Sequence, residues 1–107
     1  MLYLITSPPV MQPGNYICDQ ISTERAAEMI KEADASQKLR SFVQFGSTRF
    51  AIQKLCNIKV ELVRKISLPN PQDGDVYLEV RLKADTEKGR IDAGDLQFFQ
   101  VRFASKE

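Results

Sequence analysis

The period of the hydrophobic positions changes along this chain, and each change marks an element. Leu2 to Thr6 is apolar without alternation, the pattern of a strand covered on both faces, and Ser7-Pro8-Pro9 closes it. Pro8, Pro9, Pro13 and Gly14 then form an exposed irregular loop, after which Asn15 to Ile21 extends as a second strand. Ser22 is a good N-cap and Glu24 suits the positive end of a helix. Ala26, Met29, Ile30 and Ala33 recur at helical spacing, so a helix is predicted over Thr23 to Ala33, followed by a polar connection from Asp34 to Lys38. Ser41 to Phe45 reads as a buried strand, because Phe42, Val43 and Phe45 are aromatic or β-branched. Gly46 permits a tight turn, and Ser47 can cap a second helix in which Phe50, Ala51, Ile52 and Leu55 pack and Asn57 is the stop.

Beyond this helix the period shortens to two. Ile58 to Leu68 alternates for part of its length, with Val60, Leu62, Arg64 and Ile66 in one phase. Pro69 to Gly74 is a dense turn signal. Asp75 to Leu82 then sets Val76, Leu78, Val80 and Leu82 against Tyr77, Glu79 and Arg81, which predicts an antiparallel pair with Ile58–Leu68, one face core and the other wet. Ala84 to Gly89 is charged and turn-like, Asp92 to Asp95 offers one poor helical turn, and Gln97 to Phe103 is a last strand. The expected fold is a single α+β domain over residues 1–107, a mixed sheet of about five strands flanked by two main helices.

Composition narrows what this fold can do. A chain of 107 residues holds one core, and 15 basic against 14 acidic side chains leave no global field to draw it onto DNA or an anionic membrane. No apolar run reaches the roughly 18 residues of a membrane span, so a cytoplasmic protein is expected. Cys18 and Cys56 lack metal-site spacing and are expected to be reduced packing residues. No cofactor or metal is expected. The chain has no histidine, which removes Ser-His and Cys-His nucleophile pairs and imidazole bases and lowers the expectation of catalysis.

The strongest chemical signal is the strand-to-helix turn. A strand feeding a helix N-terminus presents free N–H groups and the positive end of the helix dipole, to which Ser47 and Thr48 add hydroxyls and Arg49 adds charge. This suits a phosphate-like ligand, although most Gly-Ser-Thr turns into helices are only capped helix starts. Arg64, in phase with Leu62 and Ile66, is either a partnered inward charge or an edge residue.

Taken in order, several short stretches resemble a family of small proteins from archaeal viruses and bacterial mobile elements. They are Tyr3-Leu4-Ile5-Thr6-Ser7 with the Pro-Gly-Asn-Tyr loop, Ile21-Ser22-Thr23-Glu24-Arg25-Ala26, Ser41-Phe42-Val43, Gly46-Ser47-Thr48, Arg64, Gly74-Asp75 and Gly89-Arg90-Ile91. That family includes the viral ring nucleases, which are type III anti-CRISPR proteins that bind cyclic tetra-adenylate and cleave it without metal. The resemblance implies a two-fold homodimer with a ligand cleft between subunits. It also implies a lost function: the family nucleases place a His, acting as general acid, just before the turn, where this chain has Gln44-Phe45. A second basic and acidic pair falls near Asp85 and Lys88 and does not match. The resulting expectation is a non-catalytic, ring-nuclease-like protein that binds a cyclic or linear nucleotide through Gly46, Ser47, Thr48, Arg49 and Arg64, with Phe45 marking the lost acid. The alternatives are a metal-independent nuclease with a relocated acid such as Tyr77 or Lys88, and an interaction module for another protein or, less in keeping with the charge, DNA.

Overall fold

The computed structural model describes residues 1–6, 15–63, 74–83 and 91–105. In chain order the elements are β1 (Leu2–Thr6), β2 (Asn15–Ile21), α1 (Thr23–Ala35), β3 (Leu39–Phe42), α2 (Gly46–Cys56), β4 (Val76–Leu82), a 3₁₀ turn (Ala93–Asp95) and β5 (Leu96–Ser105). The strands form one mixed sheet in the order β2-β5-β4-β1-β3. The α+β class with five strands and two helices is therefore as expected from the sequence.

β1 lies between two parallel neighbours, β3 and β4, and every one of its residues is buried. Its unbroken apolar run follows from that position, since a central strand faces packed side chains on both sides. Leu2 and Leu4 point to the helix side with Leu78, Val80, Leu96 and Phe98, where they meet Ala26, Ala27 and Ile30 of α1 and Ala51, Ile52 and Cys56 of α2. Tyr3 and Ile5 point the other way and join Phe42, Tyr77 and Val101 in a second cluster. Tyr3 stacks on Tyr77 at 5.3 Å between ring centroids.

The fold departs from the sequence expectation at three points. β4 has β1 on one side and β5 on the other, so it cannot pair with Ile58–Leu68. The described part of that segment instead makes a parallel bridge, Val43 to Leu62, on the far side of β3. A two-residue alternation specifies which face is buried but not which strand is adjacent. Second, the face of Tyr77 and Glu79 is not wet, for both are buried. Third, Cys18 and Phe50 are exposed rather than packed, while Cys56 is buried in the core as expected. The Pro-rich loop, Arg64 to Leu68, the turn before Gly74 and Ala84 to Gly89 lie outside the described residues.

Candidate functional site

β1, β3 and β4 run parallel, so their carboxyl ends share one edge of the sheet, with β1 between two strands reached in opposite directions. Such an edge is where open α/β sheets place their ligands. α2 starts there. After β3 the chain is held by Val63 N–H donating to the Val43 carbonyl at 2.9 Å and by the Ser41 hydroxyl donating to the Glu61 carbonyl at 2.7 Å. Thr48, Ala51, Ile52 and Cys56 anchor α2 into the core, which fixes the direction of its N-terminus.

The cap of α2 differs from the sequence expectation. The N-cap is Phe45, in extended backbone, and no side chain among the described residues caps the helix; Ser47 is its second residue. Gly46 has no positive φ, so this turn does not require a glycine for its backbone angle. The first helical bond is Arg49 N–H to the Phe45 carbonyl at 3.0 Å. The N–H groups of Gly46, Ser47 and Thr48 are those a helix leaves without internal partners, and no acceptor meets them among the described residues. Gly46 and Ser47 are exposed, whereas Thr48 is buried. Arg49 is half-buried, and its Nε meets no acceptor among the described residues. Arg49 directly follows Gly46, Ser47 and Thr48 in the first turn of α2, and a helical side chain leans toward the N-terminus. Phe45 is 56% exposed at the mouth of the turn. The arrangement can hold an anion and has no proton donor at Phe45. Arg64, expected beside this turn, lies outside the described residues.

Tyr77, named as a relocated acid, sits at 1% exposure beneath Tyr3. Burial, with Asp75 nearby, pushes its phenol up to about 12. It is therefore covered and a poor proton donor at neutral pH. Lys88 and Asp85 lie outside the described residues.

The sequence reading missed a group on β4. Glu79 is only 2% exposed, aligned with Ile5 on one side and Phe99 on the other. Its Oε1 accepts from the Arg81 guanidinium at 2.8 Å, and its Oε2 has no partner among the described residues. Arg81 in turn lies over the Phe99 ring at 4.2 Å to the centroid, opposite Gln97 on β5. The hydrogen bond to Glu79 raises the Arg81 guanidinium above its ordinary value. The signal in the sequence was Glu-x-Arg within a strand, which puts both side chains on one face, but that face was assigned to solvent.

Among the described residues no helix is long and apolar enough to cross a membrane. No curated protein matches the chain. Among solved structures the chain is similar to B116 of Sulfolobus turreted icosahedral virus (STIV), with a TM-score of 0.73 at 16% identity over 94% of this chain and 97% of that one. At that identity the likeness is one of fold. The family model described as STIV B116-like matches residues 2–103, nearly the whole sequence. The chain belongs to the STIV B116-like family of small archaeal-virus proteins.

Proposed function

We propose that this protein binds a cyclic or linear nucleotide signal without cleaving it, holding a phosphate at the N-terminus of α2 in a cleft between two copies of the chain. The observation that carries this reading is the start of α2, where three N–H groups meet no acceptor among the described residues and the half-buried Arg49 follows them in the first turn. The resemblance in sequence to ring nucleases supplies the ligand class and the two-fold cleft, and it makes Arg64 a second phosphate contact. Loss of catalysis follows from Phe45, which cannot protonate a leaving ribose oxygen, and removing such an acid or base costs typically about 10²–10⁴-fold. A defence or counter-defence role fits a protein that withdraws a signal from circulation.

The test is a titration against a panel of cyclic oligoadenylates that reads binding and turnover together, with metal chelated. Binding that weakens with salt and leaves cyclic tetra-adenylate intact is expected. Arg49→Ala and Arg64→Ala should each cost about tenfold in affinity, the scale of a charge-assisted hydrogen bond. Robust turnover by purified protein, abolished by one substitution, would overturn the reading in favour of a nuclease with a relocated acid.

A further inference from the structure

Arg81 is built as a platform rather than as a free cation. Its guanidinium carbon lies over the Phe99 ring, 4.2 Å from the centroid, and the guanidinium is held by a 2.8 Å hydrogen bond that it donates to Glu79 inside the sheet. The Arg81 side chain remains 43% exposed. A carboxylate buried for stability alone normally has both oxygens satisfied, yet Glu79 Oε2 meets no donor among the described residues. This cost is incurred next to an exposed planar group at the carboxyl edge of β4, the edge from which α2 departs. The bonded carboxylate offsets the charge of Arg81, so the pair is a weak phosphate trap. Its orientation is fixed nonetheless, and a guanidinium plane is a surface on which nucleobases stack.

From this geometry we infer that Arg81, backed by Phe99 and positioned by Glu79, is a stacking site for a nucleobase, with Gln97 beside it to meet the base edge. The inference rests on the nucleotide-binding reading above and divides the ligand between two places: phosphate at the start of α2, base on Arg81. β4 and β3 flank β1, and Arg81 and the start of α2 both lie at the carboxyl edge these strands share, Arg81 on the face away from the helices, so that only an extended ligand crossing that edge reaches both.

The two places can be tested separately by NMR with small probes. Adenosine, which is uncharged, is expected to shift the Arg81 Nε–H resonance and leave the Gly46, Ser47 and Thr48 amides in place; inorganic phosphate is expected to do the reverse. Arg81→Lys keeps the charge and removes the plane, and it should weaken adenosine binding about tenfold while the phosphate response persists. A silent Arg81 resonance at saturating adenosine, an Arg81 that answers phosphate instead, or unchanged adenosine binding by Arg81→Lys each overturns the inference. Silence of the α2 amides toward phosphate, with Arg81 still answering adenosine, counts against the phosphate reading alone and leaves the stacking site standing.

Discussion

Phe45 concentrates two effects at one position. As an N-cap it accepts no N–H with its side chain, and its ring is mostly in solvent. Phe45→Ser should therefore stabilise the fold by about 1 kcal/mol, the usual worth of a capping oxygen, seen as a higher urea midpoint at unchanged slope. The same hydroxyl would occupy an N–H that the proposed ligand needs, so this variant should also bind phosphate more weakly than the parent protein. A stabilised variant with undiminished phosphate binding would place the anion elsewhere. Tyr77 gives a second prediction at this scale. Its phenol titrates at about 12 in the fold against 10 in a free chain, and burial also raises Tyr3. Below pH 10 the neutral phenol is present in folded and unfolded chains alike. Between about pH 10 and 12 the unfolded chain releases the proton first, so stability is lost as pH rises through that window. Urea midpoints falling above pH 10, and recovering part of the loss in Tyr77→Phe relative to its own neutral midpoint, are the expected result.

Among the elements, the end of α1 is the least comfortable. Lys38 N–H donates to the Ala33 carbonyl at 2.8 Å and Gln37 N–H to the Asp34 carbonyl at 3.1 Å, the paired bonds of a Schellman motif whose C′ residue is normally glycine. Here Gln37 occupies that place with φ 58°. Gln37→Gly removes the Cβ strain and should raise stability by about 1 kcal/mol, checked by thermal or urea unfolding; a loss would show that unfolded-chain entropy outweighs the strain. α2 ends in the same left-handed geometry on Asn57 (φ 53°), a residue that tolerates it. This is why Asn57 was readable from sequence as a stop while the end of α1 was read only as a polar connection. The helix bodies were legible for a plainer reason: Ala26, Ile30, Ala51 and Ile52 repeat at helical spacing and all reach the core.

At the scale of the whole molecule, the sheet has two packed faces, and among the described residues both helices lie on one of them. The second cluster, built on Tyr3, Ile5, Phe42, Tyr77 and Val101, lies opposite them. The aromatic residues of β5 do not call for a partner copy by themselves, for Phe98 is covered within the chain by the helix-side core and Phe99 lies under Arg81. The proposed homodimer thus rests on the family resemblance and on the two-subunit cleft. Sedimentation equilibrium at tens of micromolar should give about twice the 12.2 kDa chain mass. A monomer there would remove the shared cleft from the proposal.

Local chemistry determined the kinds of element. The unbroken run Leu2–Thr6 could only be a covered strand, Ser22 could cap α1 and does so through its 3.1 Å bond from Arg25 N–H, and Gly46-Ser47-Thr48 announced a helix start. These are properties of a residue and its near neighbours, and a sequence states them directly. Tertiary structure decided adjacency and exposure. It inserted β1 between β3 and β4, gave β4 to β5 rather than to the segment before it, buried Thr48 and Tyr77, and turned Glu79 and Arg81 from a wet face into a fixed group against Phe99. Alternation carries the phase of a strand but not the identity of its neighbours, because those depend on contacts between residues distant in the chain.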